Sequence, residues 1–172
     1  VYLDEGAPGE IVPVREGMAS VQDEGSQLIG LATTRVPVAD GLPARWLDLC
    51  AGPGGKTAFI ASVAMSEQAT VDAVEIAEHR AALIEQTVRD LPVSVHVGDG
   101  RSLEAIRSLE APEGGFARVL IDAPCSGLGA LRRRPEARWT KDPHDIAPLV
   151  TLQRELLVAG LEATAPGGVV IY

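Results

Sequence analysis

The segment Asp48-Leu-Cys-Ala-Gly-Pro-Gly-Gly-Lys-Thr57 decides the fold of this chain. It follows a short apolar run that begins at Trp46, and it precedes a helix-like run from Ala58 to Ala64. Three glycines and a proline between a strand and a helix let the backbone approach a bound molecule closely, and the amides that open the next helix supply hydrogen-bond donors. The segment therefore predicts a nucleotide-type ligand site at a strand-to-helix turn.

The chain around this segment alternates strand-like and helix-like runs. Strands are predicted at Arg45–Leu49, Thr70–Glu75, Val93–Val97, Arg118–Asp122 and Val169–Tyr172, and helices at Lys56–Ala64, Glu78–Asp90, Ser102–Leu109 and Asp145–Ala163. Such an alternation is typical of a mostly parallel sheet with helices on both faces. We therefore expect a Rossmann-like α/β fold over residues 21–172.

The first part of the chain is less regular. Residues 1–20 are rich in Gly, Pro and Glu and are interpreted as a lead-in, with a weak hairpin between Ile11–Val14 and Met18–Val21. The apolar spacing of Asp23–Thr34 predicts a short helix that opens the main domain.

The composition restricts the class of protein. The chain has 172 residues, 46% of them hydrophobic, which is enough for one domain with a buried core. No apolar run approaches the ~20 residues that span a bilayer, and Cys50 and Cys125 form neither a disulfide framework nor a zinc pattern. We therefore expect a cytoplasmic protein that uses no membrane and no metal. The net charge of −9 and the 3% aromatic content argue against nucleic-acid binding over the whole surface.

An acidic or thiol residue lies near the predicted carboxyl end of each of the first four strands. Asp48, Glu75 and Asp99 follow the first three, and Asp122 with Cys125 follows the fourth. Ligands of open parallel sheets bind beyond these strand ends, so the series predicts one shared site. A single carboxylate that merely begins a loop is a common alternative, but four in series favour the site.

Three hypotheses compete for the ligand of the first turn. A P-loop would require glycine at position 50, where the chain has Cys50. A dinucleotide fingerprint would require glycine at position 57, where the chain has Thr57. The third is the shorter turn that binds S-adenosylmethionine, with Asp48 ending the strand. Glu75 would then accept hydrogen bonds from the ribose hydroxyls, and Asp99 from the adenine amino group. This spacing favours S-adenosylmethionine.

The fourth strand leads to a cysteine in a stiff turn. Pro124 removes a backbone donor and fixes the turn that holds Cys125 beside Asp122. A buried, inert thiol is the alternative interpretation for Cys125, whereas Cys50 is interpreted as small-residue packing. A thiolate near a methyl donor suits methylation of cytosine at carbon 5, because addition to carbon 6 makes carbon 5 nucleophilic. The target base must leave its stack to be reached.

Together these segments resemble a known family. The glycine-rich segment Asp48–Thr57 and the segment Asp122-Ala-Pro-Cys-Ser-Gly127 are similar to those of the Sun-type RNA cytosine-5 methyltransferases, and most of all to the branch of bacterial small-subunit (16S) ribosomal RNA methyltransferases B. Gln22–Gln27, Arg132–Trp139 and Leu152–Leu156 resemble further segments of that family. The resemblance covers nearly the whole chain from Val21 onward.

The resemblance implies roles for individual residues. The cofactor-binding residues would be Cys50, Ala51, Gly52, Pro53, Gly54, Gly55, Lys56, Glu75, Asp99 and Asp122. Cys125 and Asp122 would act in catalysis, with Cys125 assisting product release. The basic residues Arg132, Arg133, Arg134 and Arg138 would lie beside the RNA, where guanidinium groups meet phosphates or splayed bases.

One expected part of the family pattern lies outside the sequence. The covalent nucleophile should stand in a Thr-Cys motif a few residues beyond Tyr172, so we expect a fragment of the catalytic domain, incomplete at its carboxyl end and inactive alone. An N-terminal RNA-binding domain is expected in the full protein. Its predicted activity is methylation of cytosine carbon 5 in ribosomal RNA. Methylation of transfer RNA or another RNA, and a non-catalytic cofactor-binding module, are the alternatives.

Overall fold

The computed structural model describes residues 7–102, 109–110, 112–131, 135–136, 139 and 142–172. Within them, the strands are β1 (Arg45–Asp48), β2 (Thr70–Glu75), β3 (Val93–Val97), β4 (Phe116–Leu120) and β5 (Thr164–Ile171). The α-helices are α1 (Val12–Arg15), α2 (Glu24–Arg35), α3 (Gly55–Ser66), α4 (Glu78–Thr87) and α5 (Ile146–Ala163), with short 3-10 turns at Pro8–Glu10, Leu128–Ala130 and Pro143–Asp145. No helix in these ranges is long and apolar enough to cross a membrane.

The five strands form one parallel sheet in the order β3-β2-β1-β4-β5. This arrangement confirms the Rossmann-like fold that the alternating pattern predicts. β1 lies in the centre, and its register pairs Asp48 with Ala73 of β2 and Leu120 of β4. The carboxyl ends of β1, β2 and β4 therefore meet at one edge of the sheet.

Helices cover both faces of the sheet because the strands are apolar on both sides. On the α5 face, the core includes Leu47, Leu49, Val74, Phe116, Val119, Ile121, Leu156, Ala159 and Ala163. On the other face, α2, α3 and α4 pack over residues that include Trp46, Ile60, Ala61, Val71, Ala73, Ile84, Ala117 and Leu120. Neighbouring positions such as Trp46 and Leu47 point to opposite faces, as strand geometry requires. The result is a three-layer sandwich.

A buried arginine fixes the carboxyl end of α2. The Arg118 Nη1 donates to the backbone carbonyls of Thr33, at 2.9 Å, and Val36, at 2.7 Å. The Arg118 guanidinium also lies over the Trp46 ring, 5.3 Å from its centroid, and Arg118 is only 8% exposed. Asp23 caps the other end of α2 by accepting from the Gly25 amide. α2 is thereby held along the sheet.

The structure corrects several predicted boundaries. The weak hairpin is wrong: residues 12–15 form a helical turn, and the amides of Met18 and Ala19 donate to the Pro13 carbonyl. β4 begins two residues earlier than predicted and stops before Asp122. β5 begins at Thr164, so it contains the Pro-Gly-Gly segment that reads as a loop in the sequence. The predicted helix Ser102–Leu109 lies mostly outside the described residues.

Candidate cofactor and thiol site

A cavity of about 570 Å³ opens at the carboxyl ends of the strands. Its walls include six of the predicted site residues, namely Cys50, Gly52, Glu75, Asp99, Asp122 and Cys125. Leu152 and Leu156 of α5 close one side with apolar surface. We refer to this space as the large cavity. It brings the residues that follow β1, β2, β3 and β4 to one place.

A second cavity, of about 200 Å³, adjoins the first, and we call it the small cavity. The two share Cys50, Gly52 and Asp122 as walls. The small cavity is further lined by the predicted residues Ala51, Pro53, Gly55 and Lys56, by Asp48, and by Gln22, Asp23 and Ser26 near the start of α2. The start of α2 therefore forms a wall that faces the glycine turn, Cys50–Gly55.

Gly54 differs from the other residues of the glycine turn because it lines neither cavity. It is the N-cap of α3, with a φ of +105°. A Cβ at this position would lie 3.1 Å from the Ile84 Cα and 3.4 Å from the Thr87 Cβ. Gly54 thus permits the left-handed backbone and the close approach of α4.

Glu75 connects β2 to the glycine turn. Its side chain is 3% exposed, and its Oε2 accepts from the Gly52 amide at 3.1 Å while its Oε1 accepts from the Ala77 amide at 3.0 Å. A Cβ at Gly52 would lie 2.2 Å from this Oε2, so glycine is required there. Arg80 closes the arrangement by donating to the Gly52 carbonyl at 2.8 Å and lying 3.3 Å from Glu75. The carboxylate is held at the cavity wall with acceptor capacity to spare.

Asp99 follows β3 in the chain and lines the large cavity, and Arg101 fixes the orientation of its carboxylate. The Arg101 backbone amide, Nε and Nη2 donate to the Asp99 carboxylate at 2.7 to 3.1 Å, and Nη1 donates to Glu155 of α5 at 2.8 Å. These hydrogen bonds from Arg101 lower the pKa of Asp99 below its ordinary value, against a smaller opposing effect of burial. Asp99 is therefore an ionised acceptor at neutral pH.

Asp48 has one buried oxygen without a hydrogen bond from the described residues. Asp48 is 1% exposed; its Oδ2 accepts from the Thr57 hydroxyl at 2.8 Å, and its Oδ1 has no partner. Burial raises the pKa of Asp48 to about 6, although the Thr57 hydroxyl and the Cys50 amide partly offset the rise. Buried polar groups normally have partners. An acceptor of this kind on the small cavity suits a ligand that brings a donor or a cation.

Lys56 links the glycine turn to the segment that follows β4. It belongs to the first turn of α3, and its Nζ lies 2.7 Å from the Asp122 Oδ2. The Lys56 side chain is 17% exposed and that of Asp122 is 48% exposed. This ion pair closes the wall between the two cavities, so Asp122 faces both of them.

The two cysteines have different surroundings. Cys50 is half-buried against the core, and burial, followed by the charges of Asp48, Glu75 and Asp122, raises the pKa of its thiol to about 12. Cys50 is therefore a protonated thiol at neutral pH, which agrees with packing. Cys125 is exposed on the wall of the large cavity.

The predicted RNA-binding residues Arg132, Arg133, Arg134 and Arg138 lie outside the described residues. Within the described part of this basic segment, Trp139 is 84% exposed. The prediction of RNA contacts at these arginines remains a prediction.

Sequence reasoning missed several residues of the site. Arg80 and Arg101 hold the two predicted adenosine carboxylates, and Ile76 is 64% exposed on the wall of the large cavity. An apolar residue directly after the acidic end of β2 is the signal that could have identified Ile76. Nothing in the spacing indicates Arg80 or Arg101, because their contacts depend on side-chain directions.

Comparisons with known proteins agree on one group. Residues 39–172 match the profile of the family described as 16S rRNA methyltransferase RsmB/F. The Mycobacterium tuberculosis protein Rv1407, which bears a methyltransferase name, is 56% identical over 172 residues. The ribosomal RNA small subunit methyltransferase B of Klebsiella pneumoniae (strain 342) is 40% identical over 175 residues. The chain is covered completely in both matches and spans 36% and 38% of the lengths of these relatives.

Solved structures are similar to the same region. PH0851 superposes with a TM-score of 0.78 at 28% identity, covering 96% of this chain and 36% of PH0851. NSun6 from Pyrococcus horikoshii, solved with SFG, superposes with a TM-score of 0.75 at 23% identity, and the match covers 96% of this chain and 40% of the NSun6 chain. At this identity the match shows a similar fold and nothing more. The sheet and its helices thus have the same arrangement as those of these solved structures.

Proposed function

The chain belongs to the 16S rRNA methyltransferase RsmB/F family, and on this basis we propose that it supplies the cofactor pocket and one catalytic thiol of an enzyme that methylates cytosine carbon 5 in ribosomal RNA. S-adenosylmethionine is the cofactor of this family's methyl transfer, and the strand-end residues suit it. The full-length protein carries the proposed activity, because the chain spans little more than a third of its relatives.

The large cavity fits an adenosine group. Glu75 and Asp99 offer carboxylate oxygens, held in place by hydrogen bonds, for the ribose hydroxyls and the adenine amino group. Exposed Ile76 offers apolar surface for the ring. Gly100 also lines this cavity and packs closely against the end of β1, since a Cβ there would lie 2.8 Å from the Leu49 carbonyl oxygen. The absence of a side chain therefore lets the segment after β3 lie against the segment after β1.

The small cavity fits the amino acid end of the same cofactor. The unpartnered Asp48 Oδ1 can accept from an ammonium group, and Lys56 also lines this cavity. When bound, S-adenosylmethionine supplies an electrophilic methyl group on a positively charged sulfur. The shared walls Cys50, Gly52 and Asp122 lie between the two ends of such a ligand.

The proposed chemistry on cytosine needs two thiol functions. Addition of a thiolate to carbon 6 would make carbon 5 nucleophilic toward the methyl group that the cofactor would supply, with the neutral thioether as the leaving group. Loss of the carbon 5 proton and elimination of the thiolate would then restore the ring. We expect the adding thiolate from the region beyond Tyr172. Cys125 would assist the second half, in which the proton leaves and the product is released. Asp122, fixed by Lys56, would orient the base at the cavity wall.

One observation carries this proposal: the exposed Cys125 thiol and the carboxylates Glu75 and Asp99 line a single cavity. A methyl donor bound through the carboxylates would therefore lie in the same space as the thiol. Reacting groups must come within about 3–3.5 Å of each other for efficient transfer. A thiol on a remote surface would not support this chemistry.

Methyl transfer by the full-length protein tests the proposal. With labelled S-adenosylmethionine and ribosomal RNA, label is expected on carbon 5 of cytosine after nuclease digestion and chromatography. Cys125→Ala is expected to accumulate a denaturation-resistant protein–RNA adduct because elimination is slowed, whereas Cys50→Ala should trap none. Label found only on transfer RNA would favour the tRNA alternative. Label that never reaches RNA would refute the proposal.

A further inference from the structure

The segment that carries Cys125 begins where the Ile121 amide donates to the Ile171 carbonyl at 2.9 Å, and side chains hold the residues that follow. We call residues 121–127, which follow β4 without regular secondary structure, the thiol loop. Within the described part of the chain, no backbone amide of residues 122–127 donates to another backbone group. Two side chains from different helices hold the loop instead. Lys56 of α3 pairs with Asp122, and Gln153 of α5 donates from its Nε2 to the Pro124 carbonyl at 2.8 Å.

Gln153 lies on a part of α5 that packs tightly against the core. One turn further along α5, Leu156 is 3% exposed and packs in the same core cluster as Leu49 and Ile121. Gly160 brings the helix so close that a Cβ there would lie 2.4 Å from the Ile121 Cδ1. Ile121 is the residue from which the thiol loop departs. The donor and the base of the loop are therefore fixed to each other through close packing.

We propose that Gln153 is the positioning residue for Cys125, a role that rests on the proposed methyl transfer. The proline ring already fixes φ of Pro124, so the direction of its carbonyl depends on ψ. A hydrogen bond to that carbonyl fixes the Pro124–Cys125 peptide plane and with it the Cα of Cys125. The thiol is thereby directed at the large cavity, where a misplacement of about 1 Å lowers a rate by roughly 100-fold.

The residue type at position 153 agrees with this role. Its neighbours on the cavity side of α5, Leu152 and Leu156, are apolar and line the large cavity. Gln153 is half-buried beside them and points its amide donor at the loop. Glutamate has the same shape but no donor when ionised, and methionine has a similar length without polar hydrogens. These two exchanges remove the hydrogen bond and preserve the helix.

The first arm of the test measures methyl transfer in the full-length protein. Gln153→Met and Gln153→Glu are expected to lower the methylation rate at least tenfold and to accumulate the protein–RNA adduct, with cofactor affinity within twofold of wild type by calorimetry. Gln86→Met, the same exchange on the exposed surface of α4, is the matched control and should stay within twofold in rate. A structural defect alone would lower cofactor affinity together with the rate.

The second arm does not depend on RNA. Iodoacetamide alkylation of Cys125 is followed by peptide mass spectrometry, with and without S-adenosylhomocysteine. In wild type, bound S-adenosylhomocysteine should slow alkylation of the Cys125 thiol; the ratio of the rates without and with ligand is the protection factor. In Gln153→Met this factor should fall at least threefold while the affinity for S-adenosylhomocysteine stays unchanged. Should wild type methylate no RNA, the proposed function fails while this arm still decides the role of Gln153. Wild-type protection factors in the variants, or no protection in wild type, would overturn the inference.

Discussion

Asp48 shows at the scale of a single residue how the site opposes the stability of the fold. Its carboxyl is 1% exposed and one of its oxygens has no hydrogen bond in the described structure. Because burial raises its pKa to about 6, the folded chain favours the protonated form, whereas an unfolded Asp titrates near 3.8. Ionisation of Asp48 therefore destabilises the folded state increasingly from about pH 4, and fully above about pH 7.

Asp48→Asn should stabilise the protein in a pH-dependent way. Asparagine keeps an acceptor for the Thr57 hydroxyl and removes the buried charge. The gain in free energy of unfolding should be about 3 kcal/mol at about pH 7.5 and under ~1 kcal/mol at about pH 4, because only ionised Asp48 carries the penalty. Urea denaturation at both pH values measures the difference. An equal gain at both would show that the charge is not the cause.

The sequence predicts residues of this site where a rule ties residue type to backbone position. Cys50 and Thr57 exclude two phosphate patterns, and Glu75 and Asp99 follow from their places at the ends of β2 and β3. Arg101 and the Lys56–Asp122 pair could not be predicted, because they depend on where long side chains reach in three dimensions. The motif predicts a ligand contact at Gly54, which stays a prediction; the close approach of α4 that also requires glycine there could not be predicted.

α2 shows at the scale of the element how one distant contact supports the site. Its first residues help to wall the small cavity, yet its carboxyl end is held by Arg118 from β4. A cation at this end also complements the negative end of the helix dipole. The arginine therefore contributes to the site without touching it.

Arg118→Leu should lower the free energy of unfolding by about 2–4 kcal/mol. The Thr33 and Val36 carbonyls would lose their buried donor, and unmet buried acceptors cost about 1–3 kcal/mol each. Arg35→Leu, at an exposed position in the last turn of the same helix, serves as the control and should change stability by less than ~0.5 kcal/mol. Thermal denaturation compares the two. Equal effects would mean that the Arg118 hydrogen bonds contribute little.

Element boundaries follow from the sequence to different degrees. β2 and β3 have the bounds that the sequence predicts, Thr70–Glu75 and Val93–Val97. β4 starts earlier than predicted because Gly114 and Gly115, both with positive φ, form the turn that leads directly into Phe116. β5 pairs with β4 on both sides of Pro166-Gly167-Gly168, with a register shift between Phe116, opposite Thr164, and Arg118, opposite Val169. Local propensity does not reveal such an irregularity, since partner strands impose it.

At the scale of the whole molecule, the site joins segments that are far apart in sequence. The two cavities draw walls from the start of α2, the ends of four strands and α5. A ligand that contacts all of these segments binds only the folded chain. Its binding free energy therefore adds to the stability of the whole fold.

S-adenosylhomocysteine at about 100 times its Kd should raise the free energy of unfolding by about 2.7 kcal/mol. Asp99→Ala removes the proposed acceptor for the adenine amino group, so the same ligand concentration should give a clearly smaller shift. Glu113→Ala, at an exposed carboxylate in the turn before β4, should retain the full shift. Differential scanning calorimetry measures the stability shift of both variants, and calorimetric titration measures their affinity for S-adenosylhomocysteine. Unchanged affinity in Asp99→Ala would refute the assigned pocket.

The carboxylates of the large cavity also decide which nucleotides are excluded. Glu75, Asp99 and Asp122 are each paired with a cation, namely Arg80, Arg101 and Lys56. A nucleotide that carries phosphates would therefore find these three cations already engaged, and its negative charge would lie close to their carboxylates. In the proposed function, the cationic sulfonium of the methyl donor would lie beside these carboxylates. The sulfur would be neutral after transfer, so this electrostatic contact would weaken and exchange of the spent cofactor would be favoured.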